Sequence, residues 1–214
     1  MLGMPVTRHM PKLIAGIAVP QDDISRATWT WANRALPAYL LAHSVRSYCW
    51  GAAIAGDHGW SFDRRVLWIA ALWHDFGLTR IPRNTMCFEI EGAELARGFL
   101  RRASLSAMDV DRVAIAIMLH MQPGVTLADG VESVLLDQAT AIDVRGDGYE
   151  RVAAIREGVV GAFPRRDFDR RFLAAIRRET AVRRDCQSDR LLETTDLAGW
   201  MSRSPWAADI RQAR

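Results

Sequence analysis

Apolar residues in this chain recur every three to four positions almost throughout and alternate with polar ones almost nowhere, a pattern that restricts it to an all-α fold. A first helix is predicted to begin near Asp22 and Asp23, acidic residues suited to a helix N-terminus, and to run until Pro37 starts or kinks the next. Residues 37–55 then carry Leu40, Leu41, Val45, Tyr48, Cys49, Ala52 and Ile54 as a mostly apolar stripe, with His43 and Arg46 one turn apart. Gly56-Asp57-His58-Gly59 breaks it. Further helices are expected over 63–76, 106–121, 131–144 and 167–183, with one more running through Glu91 to 103 after a loop that holds Pro82 and Asn84. Ser106, with Asp109 three residues on, reads as an N-cap. No internal repeat or low-complexity segment interrupts the series.

At 214 residues and 50% hydrophobic, the chain can bury one large core or two small ones, and a single domain is expected. The eight tryptophans imply extensive burial of large rings. Charges and prolines interrupt every apolar run before it reaches bilayer length, so a membrane span is excluded. Arg8, His9 and Lys12 precede a short apolar run, but Gly16 interrupts it and Pro20-Gln21-Asp22-Asp23 is no cleavage site, so a cytoplasmic location is expected. Cys49, Cys87 and Cys186 are odd in number and form no CxxC pattern, which predicts free thiols. The net charge of +3 rests on dispersed arginines, with Lys12 the only lysine, and this disfavours nucleic acid as a partner. Tryptophan-rich stretches near Trp200 and Trp206 offer an exposed surface on which a second copy could pack.

The adjacent His74 and Asp75 close the apolar run 66–73. A histidine nitrogen beside a carboxylate oxygen is an ordinary pair of divalent-metal ligands, and burying both is costly unless something binds them. Taken alone, the dipeptide fits a structural histidine beside a solvated aspartate better. The spacing changes the balance. His74 lies three residues before Gly77, His120 three before Pro123 and Asp143 three before Gly146, each in the last turn of an apolar helix. Alternate helices of an antiparallel bundle point the same way, so groups at such ends can converge on one pocket.

The order His43, His74-Asp75, Asp143 resembles the HD-domain superfamily, an all-helical fold with a His, His-Asp, Asp ligand set. The blocks His43-Ser44-Val45-Arg46-Ser47-Tyr48, Ala70-Ala71-Leu72-Trp73-His74-Asp75-Phe76-Gly77-Leu78-Thr79 and Phe88-Glu89-Ile90-Glu91-Gly92-Ala93-Glu94 resemble its cyanamide hydratase-like branch, as do the blocks around His120 and Asp143. The likeness spans most of residues 13–180 within a domain taken as 1–214, and the tail 185–214 matches least. Ala42 stands where the branch often has asparagine, and Met121 where threonine is common, so the pocket lining differs.

The resemblance implies that His43, His74, Asp75 and Asp143 hold one divalent ion, Zn or Fe ahead of Mn or Co, that activates bound water. His120 is then expected as an outer-sphere proton donor or substrate contact, or as a helix-end histidine bonded to a carbonyl. Glu91 is expected to face the pocket and handle a substrate proton, unless it only stabilises a helix start. Arg46 would either support a ligand carboxylate or bind an anionic substrate. Three functions follow: a hydrolase or hydratase using metal-bound water on a small cyanamide- or nitrile-like substrate, a phosphohydrolase acting on a nucleotide or phosphodiester, and a non-catalytic metal-stabilised ligand-binding module. The second requires a cationic mouth, for which Arg46, Arg80 and Arg83 are the candidates.

Overall fold

In the computed structural model, which describes residues 9–81 and 85–206, the acidic pair opens helix α1 (Asp23–Ala35) as expected. Asp22 is the N-cap, its carboxylate accepting from the Ser25 amide at 3.0 Å. Pro37 precedes α2 (Ala38–His58), which runs through Gly56 and ends at Gly59, a left-handed residue with φ 65°. Helix α3 (Arg64–Trp73) starts from Asp63, whose Oδ1 accepts from the Arg65 and Val66 amides, and passes through His74 into a 3₁₀ turn over Phe76–Thr79. Helices α4 (Phe88–Arg102), α5 (Ala107–Leu119), α6 (Val131–Arg145) and α8 (Phe168–Thr180) fall close to their expected places. The Ser106 hydroxyl accepts from the Asp109 amide, the cap that its sequence signals.

Three helices lie outside that reading: α7 (Ala153–Ala162), α9 (Gln187–Thr194) and α10 (Leu197–Arg203). A two-stranded hairpin, β1 (Leu13–Ile14) against β2 (Ile17–Ala18), precedes the helices. Pro82, Arg83 and Asn84 lie outside the described residues.

Helix α2 is the axis of the fold. Residues 40–52 are buried without exception, the polar His43, Ser44, Arg46 and Ser47 among them, and α3 and α6 flank the helix. Helix α5 packs on both α3 and α6, and α4 lies against α5. Trp31 stacks on Trp73 at 3.5 Å between ring centroids, and Trp29 on Trp68 at 5.9 Å. Trp206 is not exposed as expected. It is fully buried against Trp50, and its indole N–H donates to the Ile142 carbonyl at 2.7 Å. A buried indole has to place that donor, and the Ile142 carbonyl in the last turn of α6, which also accepts from the Gly146 amide, receives it.

Two of the three cysteines also depart from the expected free thiols. Cys87 and Cys186, separated by 99 positions, form a disulfide, while Cys49 is free and buried. No local spacing could announce it. The bridge joins the residue before α4 to the residue before α9, and only the packed bundle brings those two helix starts together.

Candidate metal centre

Three histidines reach the end of one cavity with their rings oriented in the same manner. His43 sits in the second turn of α2, His74 caps the C-terminus of α3 and His120 caps that of α5. The Nδ1 of His74 lies 2.8 Å from the Ala71 carbonyl, and that of His120 2.6 Å from the Ile117 carbonyl. A carbonyl only accepts, so both rings carry their proton on Nδ1. The Nδ1 of His43 meets the Asp143 carboxylate at 2.7 Å, which fixes the same tautomer. In its neutral form each ring therefore turns a bare Nε2 lone pair inward; at His74 burial opposes the charged form, but the Asp75 carboxylate outweighs it and raises the ring's pKa.

The lone pairs of His43 and His74 face one another at 3.1 Å, with Asp75 Oδ2 at 3.4 and 3.3 Å from the two nitrogens. All three side chains are buried, and Asp75 Oδ2 has no hydrogen-bond partner. Two lone pairs and a carboxylate oxygen in such proximity repel unless a cation lies among them, and a buried carboxylate oxygen with no donor is costly. His43, His74 and Asp75 thus fit a divalent ion. The His120 Nε2 stands 3.8 Å from the other oxygen of Asp75, on the cavity side.

Asp143 is not in that cluster, contrary to the expected four-ligand set. Its carboxylate lies behind His43 and is fully engaged. Oδ1 accepts from Arg46 Nε at 2.8 Å and Trp50 Nε1 at 2.9 Å, while Oδ2 accepts from His43 Nδ1 and from Arg46 Nη2, each at 2.7 Å. Arg165 adds a charge at 3.4 Å. Arg46, with no exposure, also donates to the Phe163 and Pro164 carbonyls, so it supports the carboxylate and is not open to an anionic substrate. Glu91 does not face the cavity either. It pairs with Arg80 and Arg183, because its position in the first turn of α4 turns it toward the end of α8.

Electrostatics follow burial and pairing. Burial would push both ligand-side carboxyls up, but the neighbouring charges outweigh it. His74, His43 and His120 bring Asp75 down to about 2, and Arg46 and Arg165 hold Asp143 well below the usual carboxylate range. Burial and the proximity of His74 depress His120 to about 4. His43 is lowered chiefly by burial, with Asp143 opposing.

Main-chain contact secures the turn that carries His74 and Asp75. A Cβ on Gly77 would overlap the Phe88 carbonyl, so only glycine lets α4 lie directly on this turn. The cavity beyond is about 380 Å3, lined at its inner end by His43, His74, Asp75 and His120 and along its walls by Phe88, Phe172, Leu191 and Trp200. Helix α6 presents Asp137, Thr140, Ala141, Val144 and Arg145 to it, a single helical face, while Asp143 points away toward α2. Sequence reasoning missed Trp50, Arg165 and Asp137. Of these only Asp137 carried a signal, as a charge six residues before Asp143 on the same predicted helix.

Residues 40–155, more than half of the chain, match the HD domain family model. Two proteins of Saccharomyces cerevisiae, Cyanamide hydratase DDI2 and Cyanamide hydratase DDI3, are each 29% identical to it over 167 residues, 73% of this chain and 72% of the relative. The chain belongs to the HD-domain family, in its cyanamide hydratase-like branch, as a metal-dependent hydrolase or hydratase.

Proposed function

We propose that this protein adds water to the carbon of a cyanamide- or nitrile-like group, with one Zn or Fe ion, or alternatively Mn or Co, held by His43, His74 and Asp75. An ion bound there would lower the pKa of water toward neutrality and polarise the substrate. The chain's own residues supply the rest. Asp143 holds the His43 ring, and Arg46 and Trp50 hold Asp143, so the Nε2 lone pairs keep their aim. Hydration of a C≡N bond moves a proton from the entering oxygen to nitrogen. His120 Nε2, unprotonated and open to the cavity, is placed to accept that proton and return it to the nitrogen. We take the chain as one domain, since α9 and α10, beyond the matched 40–155, provide part of the cavity wall.

The observation that carries this reading over phosphoryl chemistry is the charge of the cavity. Among the described residues that line it, Arg145 is the sole arginine, and it is paired with Asp147 at 2.7 Å. Arg46 is consumed by Asp143, and Arg80 pairs with Glu91 away from the lining. Apart from the ion itself, a phosphate would meet Asp137 with no unpaired arginine among the described lining residues. The names of the two yeast relatives point to the same substrate class.

Metal content and turnover of the purified protein test this reading. Near-stoichiometric metal, lost in His74→Ala, and release of the hydrated product from cyanamide or a small nitrile are expected. Turnover of nucleotides or a generic phosphodiester, with none of cyanamide or nitriles, would overturn it.

A further inference from the structure

The cavity is far too large for cyanamide alone. At about 380 Å3 it has room for roughly a dozen waters at ~30 Å3 each, whereas cyanamide is a linear unit of three heavy atoms. Its volume falls instead in the range of pockets that enclose a whole organic ligand. The lining is divided. The candidate metal ligands cluster at the inner end, the walls mix aromatic and aliphatic side chains with the polar Gln122, Gln187, Thr194 and Thr195, and one carboxylate stands apart from the ligands.

That carboxylate is Asp137. It is partly buried and lines the cavity, and among the described residues its side chain has no hydrogen bond or ion pair. Thr140, one turn further along α6, donates from its hydroxyl to the His120 carbonyl at 3.1 Å, which places the two at one level. Asp137 is therefore about 4.5 Å of helix rise from the level of His120, within reach of a substrate whose reacting group lies at the inner end. Arg145, two turns away on the same face, is occupied by Asp147 and stacks over Trp200 at 5.9 Å.

We infer that the natural substrate joins its reacting cyanamide- or nitrile-like group, through an apolar segment, to a protonated amine or other cationic N–H donor that Asp137 binds. The inference rests on the hydratase reading for the reacting group alone. A partly buried carboxylate without a hydrogen bond is costly until a cation or strong donor meets it, and the rings of Phe88, Phe172 and Trp200 suit the body of such a ligand. Burial pushes the Asp137 carboxyl up to about 6 even against the more distant charge of Arg145, which is the cost in question.

Calorimetric titration with hexylammonium and with hexanol, at pH 7.5 on metal-loaded protein, tests the anchor without turnover. The wild type should prefer the ammonium by roughly ten-fold, and Asp137→Asn should abolish that preference while melting within a few degrees of wild type. Should Asp137→Asn fail to fold, Asp137→Ser and Asp137→Glu replace it, with preference lost in the first and retained in part in the second. Equal affinity of the wild type for both ligands, or a preference that survives in the folded variants, overturns the inference. Turnover of 4-aminobutyronitrile against butyronitrile separates this outcome from the parent reading. Ammonium preference through Asp137 without turnover of either nitrile refutes the hydratase and leaves the cation anchor standing. Turnover of both at equal kcat/KM, unaffected in the variants, does the reverse.

Discussion

Replacing Asp143 by asparagine should cost both the fold and the metal, for separable reasons. The carboxylate receives five donors: His43 Nδ1, two Arg46 nitrogens, Trp50 Nε1 and, at 3.4 Å, Arg165. The amide keeps one accepting oxygen, which can serve Arg46 Nε and Trp50, but turns its NH2 toward His43 and Arg46 Nη2. Arg46 then remains buried without the anion that balances it, and Arg165 keeps only Asp169. Breaking a buried pair in this way costs about 3 to 5 kcal/mol, a fall of roughly 6 to 20 °C in melting temperature for a domain of this size. The second effect reaches the metal. An amide N–H facing His43 Nδ1 favours the opposite tautomer, which moves the ring proton to Nε2 and removes the lone pair aimed at Asp75. Metal affinity should fall about 10- to 100-fold. Scanning calorimetry of the chelated protein reads the first effect, and zinc titration against a competing chelator reads the second. An Asp143→Asn protein that melts with the wild type and binds zinc equally well would refute both the tautomer argument and the support role given to Arg46.

Other consequences are as testable. Glu89, buried near Glu179, is raised from the ordinary 4.5 to about 7. The unfolded chain releases this proton near 4.5 and the folded one keeps it to about 7, so stability should decline as pH rises through that window, by about 3 kcal/mol in total. Urea unfolding of Glu89→Gln at pH 5 and pH 8 should show that share of the decline removed; a decline as steep as the wild type's would contradict the assignment. Breaking the Cys87–Cys186 bridge by Cys186→Ser releases a loop of 99 positions in the unfolded chain, a loss of about 4 to 5 kcal/mol under oxidising conditions. Wild type and variant should melt together once a reductant is added, and a wild type insensitive to reductant would count against the bridge. Gly77→Ala forces the turn below His74 and Asp75 away from Phe88, so metal affinity should drop along with stability; normal zinc binding would show that the close approach is dispensable.

Much of the framework was legible because it obeys local rules. Asp22, Asp63 and Ser106 cap helices through their own side chains, and Gly59 and Gly146 end helices in left-handed geometry. His74 and His120 were legible for a related reason. A histidine in the last turn, three residues after a free carbonyl, has its tautomer set by the helix that carries it. Asp143 shared that helix-end position, but its role depends on which face of α6 it occupies. It shares the face that meets α2, and the donors that surround it come from distant parts of the chain. Glu91 misled for the opposite reason. A carboxylate in a first turn near the motif can face either way, and Arg183, ninety-two positions later, decides which. The disulfide and the cavity wall built by α9 and Trp200 likewise depend on long-range packing, for which neither periodicity nor spacing provides a sign.

The bridge between Cys87 and Cys186 makes a closed covalent ring of everything from α4 to the start of α9. His120, Asp137 and Asp143 lie inside that ring, whereas His43, His74 and Asp75 lie on the stretch of chain leading into it. A single proteolytic cut within the ring therefore produces two fragments that cannot separate. The nicked protein would hold the two halves of its centre together until a thiol opened the bridge.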